Sequence, residues 1–177
     1  MTTNHKFQYG KDGFQIGDCI KCGIPQYSKL DDPRREKCRP GWHETWMSIA
    51  RTVAERSYDL RLKVGAIVVS DDNTRLLSLG YNGNYRGGPN VPDSVDPGQS
   101  GFIHAEVNAL VKCDYSYSRN KVMYLTHSPC IQCAKLIVNA NIAEVVYDEE
   151  YRDPMGLKIL NDCGIVVNRY SDLILSD

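Results

Sequence analysis

From residue 42 onward, apolar positions recur with spacings that alternate between helical and extended. Trp42, Trp46, Ile49, Ala50 and Val53 stand at i, i+4, i+7, i+8 and i+11, which predicts one face of an amphipathic helix. The run VGAIVV (64–69) reads as a strand buried on both faces, and the turn residues SDDN lead into a shorter strand, LLSL. Residues 80–101 are glycine-rich, include three prolines and hold little apolar content, so they form a long loop of the kind that usually serves function. Beyond it, 104–112 is predicted as a helix, KVMYLT (121–126) as a strand and 130–140 as a second helix. The apolar face of that helix comprises Cys130, Cys133, Ala134, Ile137 and Val138. A strand at 144–147, a helix near 154–162 closed by Gly164 and a last strand at 165–167 complete the alternation. Strands and helices taking turns in this way predict an α/β fold with three layers, helix on sheet on helix.

Residues 1–41 show no such period. They are rich in Gly, Lys and Asp and carry three cysteines, so we treat them as an extension preceding a domain at 42–177. The 177-residue length suits one full hydrophobic core. At 42% hydrophobic and 24% charged residues the composition is that of a globular protein, and no apolar run is long enough to span a bilayer. The first residues lack the apolar core of a secretory leader and the Arg-rich character of a transit peptide, so a cytoplasmic location is expected. A net charge of −1 supplies no strong attraction for a polyphosphate chain, which disfavours nucleic acid as a partner. Seven cysteines, two pairs of them spaced CxxC (Cys19/Cys22 and Cys130/Cys133), argue for metal binding more than for disulfides in such a setting.

His104, Glu106, Cys130 and Cys133 carry the chemistry. The two cysteines are three residues apart at a helix start, so both sulfurs project from one face of its first turn, where unpaired N–H groups favour thiolate charge. Pro129 suits that helix beginning. His104 opens its own helix after the strand-like GFI. Three ligands of the type His/Cys/Cys make a zinc site with a fourth position left open, the catalytic arrangement. Zinc lowers the pKa of water toward about 7, and a neighbouring carboxylate must then move the proton. Glu106 is too few residues from His104 to share its direction yet close enough to serve as that base. Taken singly, CxxC also fits a structural zinc half-site or a redox pair, and HxE occurs by chance; together, in this order, they resemble the motif pair of the zinc nucleobase deaminases.

With HAEVNAL and SPCIQCAK in place, the chain resembles the cytidine/deoxycytidylate deaminase superfamily over residues 42–168. RLKVGAIVV, GYNG (80–83), RGGPN (86–90) and YRDPMGLKIL most resemble the deoxycytidylate (dCMP) deaminases within it. The resemblance implies a central five-stranded mixed sheet flanked by helices and hydrolysis of dCMP to dUMP and ammonia, feeding thymidylate synthesis. It implies zinc on His104, Cys130 and Cys133, and Glu106 as a proton shuttle that takes a proton from water and delivers it to N3 and then to the leaving amine. It further implies that Asn82 hydrogen-bonds sugar or base and that the backbone at Ala105 meets the pyrimidine. Asn82 also reads as a turn residue in YNGN. For the 5′-phosphate, Arg86 in the glycine-rich loop is a candidate, with Arg61, Lys63, Arg119 and Arg152 as others. Tyr151 is a candidate for packing against base or sugar. The family resemblance also implies a homo-oligomer, a hexamer, with dCTP and dTTP as effectors and Mg²⁺ accompanying a bound effector.

The chain departs from the family pattern in two places. His127 stands where an apolar residue is more usual before PCxxC. Cys19, Cys22, Cys38 and His43 form a CxxC, fifteen-residue, C, four-residue, H pattern adequate for a closed tetrahedral zinc, at a spacing not usual in the family. His43 alternatively begins a helix. Cys113 and Cys163 read as small buried hydrophobes. The rival readings are a deaminase of modified dCMP, a nucleoside or a tRNA adenosine, and a non-catalytic zinc-binding module in which Glu106 would have no use.

Overall fold

The computed structural model describes residues 40–174 apart from 97 and 118, together with the backbone of two short strands nearer the N-terminus. The chain divides into two units, 1–44 and 45–177. In the first, strands β1 (Gln8–Tyr9) and β2 (Gln15–Ile16) pair antiparallel, with Gln8 opposite Ile16. Cys19, Cys22 and Cys38 lie outside the described residues. His43 is the second residue of helix α1 (Trp42–Ala54).

The second unit is built on strands β3 (Gly65–Ser70) and β4 (Leu76–Tyr81), helix α2 (Ala105–Leu110), strand β5 (Lys121–His127), helix α3 (Ile131–Asn139), strand β6 (Ile142–Glu149), helix α4 (Met155–Asp162), strand β7 (Val166–Arg169) and helix α5 (Tyr170–Leu173). The sheet order is β4-β3-β5-β6-β7. β3 runs antiparallel to β4 and β5, whereas β5, β6 and β7 are parallel, so the sheet is mixed. Each parallel step is a βαβ unit with its helix, α3 or α4, as the crossover.

Every residue of β3 is buried, as its unbroken apolar run requires of a strand covered on both faces. The pleat sends its side chains alternately into two cores. Ala66 and Val68 pack with Ala105 and Ala109 of α2, Ala134 and Ile137 of α3, and Leu160 of α4. Ile67 and Val69 pack with Trp46, Met47 and Ala50 of α1 and with Tyr170 of α5. The three-layer sandwich follows. α1 turns its buried stripe differently from the sequence expectation: Trp46, Met47, Ala50 and Ala54 are buried, while Trp42 is 44% exposed. Ile49 and Val53 of the expected face are only half-buried and Met47 and Ala54 are buried, so the covered stripe is rotated from the one the spacing gives.

Helix α4 ends where Gly164 predicted. That residue takes φ +77°, and the bonds Gly164 N–H to Asn161 carbonyl and Ile165 N–H to Leu160 carbonyl close a Schellman cap. Helix α5, only four residues long, has no periodic signal in the sequence. Cys113 is buried as expected, but Cys163 is exposed because it caps the outer end of α4. Among the described residues, no helix is long and apolar enough to cross a membrane.

Candidate active site

Two helix starts converge on one point. His104 is the N-cap of α2 and Cys130 the N-cap of α3, both extended in backbone and neither using its side chain to cap. Pro129 therefore sits one residue before the cap and not in the first helical turn. Cys133 is the third residue of α3, so its sulfur shares the N-terminal end with that of Cys130. Nδ1 of His104 lies 3.5 Å from Sγ of Cys130 and 3.3 Å from Sγ of Cys133, and all three ligand atoms fall within 4.8 Å of one another. Zinc holding two sulfurs at about 2.3 Å and a nitrogen at about 2.0 Å in tetrahedral directions needs N···S separations of about 3.5 Å. The donor set and its spacing thus fit zinc with a fourth direction available.

Close helix-to-sheet packing produces this convergence. A side chain on Gly80 of β4 would collide with the Ala105 carbonyl and the Ala109 N–H, so only glycine lets the first turn of α2 lie against the strand. Asn108 of α2 donates Nδ2 to the Tyr81 carbonyl at 2.9 Å, tying the helix to the end of β4. On the other side, a side chain on Gly156 of α4 would collide with the Pro129 carbonyl. Ser128 is buried between these parts: its N–H bonds the Glu149 carbonyl at 2.8 Å and its Oγ accepts from Tyr151 N–H at 2.8 Å.

The charges respond to this packing. Cys130 is held down to about 3, chiefly by a hydrogen bond from Cys133 and also by His104, so a thiolate is present at neutral pH. The same bond and burial push the Cys133 thiol up. His104 is raised first by its bond to Cys130. Glu106, in the first turn of α2 and 4% exposed, is raised by burial, which its own N–H and His104 oppose only in part. A cation that took up both sulfurs as thiolates would displace the remaining thiol proton.

The triad opens onto a cavity of about 380 Å³, within the size range of small-molecule sites. His104, Glu106 and Cys130 line it, as do Ala105, Asn82 and Tyr151. Arg86 does not; it is exposed on the 82–104 loop. Arg61 and Arg152 do line it, whereas Lys63 pairs with Glu55 and Arg119 with Asp71, each at 3.1 Å. His127 also lines the cavity, with Nε2 facing Glu149 at 3.4 Å and Nδ1 at 3.2 Å from Thr126 Oγ1. Asn82 is neither free nor merely a turn residue: its Nδ2 donates to the Leu62 carbonyl and Asp59, and its Oδ1 accepts from Val64 N–H. Sequence reasoning missed Ser128, Asp59 and Gly156. Only the small residue in YRDPMGLKIL, at Gly156, gave a usable hint.

Residues 40–149 match the family described as the cytidine and deoxycytidylate deaminase zinc-binding region. The deoxycytidylate deaminase of Saccharomyces cerevisiae is 33% identical over 161 residues, 82% of this chain and 51% of the yeast protein, so the chain spans about half the length of that relative. The deoxycytidylate deaminase of Mycobacterium phage D29 is 37% identical over 127 residues, 63% of this chain and 98% of the phage protein. Among solved structures, the dCMP deaminase of cyanophage S-TIM5 in complex with dCMP and dUMP is 30% identical, with a TM-score of 0.59, covering 78% of this chain and 98% of that one. With a five-stranded mixed sheet, a zinc-fitting His/Cys/Cys group and a family match over most of the second unit, this chain belongs to the zinc-binding cytidine and deoxycytidylate deaminase family.

Proposed function

We propose that the chain hydrolyses dCMP to dUMP and ammonia. The observation that carries this reading is the buried Glu106 lining the same cavity as the converged His104, Cys130 and Cys133. A purely structural metal site gives no reason to bury a carboxyl beside its ligands.

In this reading His104, Cys130 and Cys133 hold zinc. When bound, zinc supplies the Lewis acidity that makes water a nucleophile at neutral pH. Glu106 takes a proton from the water that adds to C4 of cytosine and delivers it to N3. Breaking of the C4–N4 bond then releases ammonia, with Glu106 passing the second proton to the leaving amine and the oxygen remaining on C4. The cavity walls orient the base: the backbone at Ala105 meets the pyrimidine edge, and Tyr151 packs beside base or sugar. Burial serves the chemistry, because a carboxyl raised toward neutrality both accepts and releases a proton readily.

Four further parts of the reading rest on sequence spacing or on family resemblance. A second zinc on Cys19, Cys22, Cys38 and His43 would staple the 1–41 extension, and dCTP and dTTP, with Mg²⁺, would act as effectors of a homo-oligomer.

Ammonia release from dCMP, dCTP, deoxycytidine and a tRNA anticodon hairpin tests the reaction. We expect dCMP to be the preferred substrate, and turnover of any other in its place overturns the choice. Adding dCTP or dTTP to the same assay reads the effectors directly.

A further inference from the structure

One residue in the cavity wall departs from the family pattern and has a donor to spare. Met123 and Leu125 of β5 and Val145 and Tyr147 of β6 point into the core beneath α2, α3 and α4. A strand returns to the same face every second residue, so the next positions of these two files are His127 and Glu149. The two are paired in register where the parallel strands end, and both line the cavity. The files that begin as core thus finish as an imidazole and a carboxylate beside the starts of α2 and α3.

The strand ends also set the ring. Gly65 N–H donates to Thr126 Oγ1 at 3.0 Å, which leaves the Thr126 hydroxyl hydrogen for His127 Nδ1, 3.2 Å away. Nδ1 then accepts, and the neutral ring carries its proton on Nε2. Glu149 Oε2 lies 3.4 Å from Nε2 and favours that form, yet among the described residues Nε2 makes no hydrogen bond. The His127 side chain is 17% exposed and that of Glu149 72%, so the ring is held while the carboxylate has room to move.

The proposed reaction determines which edge of the base meets this donor. C4 is set where His104, Cys130 and Cys133 converge, and N3 faces Glu106, which delivers its proton. C4 of a pyrimidine stands between N3 and C5, so C5 is directed away from Glu106. Glu106 belongs to α2, packed on β4 and β3, and the far side of the sheet order from there is formed by the ends of β5 and β6. We propose that His127 is a specificity-determining residue for the C5 edge of the base. Its Nε2–H, with the Glu149 carboxylate beside it, holds a C5 substituent that both accepts and donates a hydrogen bond, such as hydroxymethyl, in preference to an apolar one of the same size. The proposal rests on the dCMP reading of the cavity. An apolar side chain at this position would separate the two substituents only weakly, whereas a donor covered by an ethyl group loses its water without replacement.

The test measures kcat/KM of the zinc-loaded full chain on 5-hydroxymethyl-dCMP and 5-ethyl-dCMP, with dCMP as reference. Wild type should favour hydroxymethyl over ethyl about 10-fold, the weight of one good hydrogen bond. His127→Leu should bring that ratio to about one, and His127→Gln, which keeps an N–H donor, should restore part of it. Glu149→Leu should lower the ratio less than His127→Leu, and no change there removes Glu149 from the contact. A His127→Leu variant that loses activity equally on all three substrates marks a structural histidine and overturns the proposal, as does a wild type that favours ethyl or neither. The wild-type comparison needs no variant and stands should His127→Leu not fold. A chain inactive on all three substrates overturns the deamination reading instead, and calorimetric binding of 5-hydroxymethyl-dUMP against 5-ethyl-dUMP then still decides the contact at C5.

Discussion

Placing a carboxyl in the first turn of α2, nearly closed to solvent, makes its charged form costly, and the neighbouring positive groups answer only part of that cost. Two outcomes follow for Glu106→Gln. The amide keeps the size of the acid but cannot move a proton, so the variant should retain zinc, measured by metal analysis, while kcat falls about 10³-fold or more. Its stability should depend on pH in a definite sense. In the metal-free protein the folded pKa of Glu106 lies above its ordinary value of 4.5. The native state is therefore favoured while Glu106 holds its proton, and that advantage is lost as pH rises from the ordinary carboxylate range through the raised value. Gln never loses it. Metal-free Glu106→Gln should unfold at higher urea than metal-free wild type at pH 7, and the two should converge as pH falls below about 4.5. A wild type that is the more stable of the two at pH 7 would contradict the assigned cost of burial.

The helices carry the site because their N-termini are pressed against the sheet. Gly156 brings α4 onto the Pro129–Cys130 backbone, and any side chain there must push one of the two away. We expect Gly156→Val to cost about 1–3 kcal/mol of stability, as overpacking does, and to weaken zinc binding as well, because the displaced segment begins α3. A chelator competition would show the variant surrendering zinc at lower chelator than wild type. Unchanged zinc retention with lowered stability would mean that α4 supports the core alone. This contact also explains which parts of the site were legible in the sequence. His104, Glu106, Cys130 and Cys133 announce themselves because each pair is a short local spacing: three residues put Cys130 and Cys133 on one side of the first turn of α3, and two residues put Glu106 beside the direction of His104 and not along it. The buried run of β3 and the Gly164 stop were legible for the same reason: neighbouring residues suffice to specify them. Ser128, Asp59 and Gly156 act across distant segments, on Tyr151, Asn82 and Pro129 respectively, and no local period records such partners. The loop expected over 80–101 was legible as a loop, although Gly80 and Tyr81 end β4. Its contact with Arg61 through Val95 was not, because carbonyl direction in irregular backbone has no sequence code.

Across the whole second unit, the three ligands join parts of the sheet that do not otherwise share a strand. His104 comes from the helix packed on β4 and β3, and the two cysteines from the crossover between β5 and β6. A cation bound by all three can hold these parts together only in the native state, since the ligands are 26 and 29 residues apart in the chain. Zinc should accordingly stabilise by mass action, each hundredfold excess over its dissociation constant adding about 2.7 kcal/mol. Removing zinc with a chelator should lower the melting temperature, re-adding it should restore the value, and the rise should grow with free zinc concentration. Stoichiometry separates the two sites in the same experiment. Two zincs per chain, with one lost when Cys130 and Cys133 are both replaced by Ser, supports a site in the extension. One zinc per chain, lost entirely in that variant, assigns all binding to His104, Cys130 and Cys133. A melting temperature indifferent to chelation in a chain that had contained zinc would mean that the fold already holds α2 and α3 together without it. The cation would then owe its place to catalysis alone.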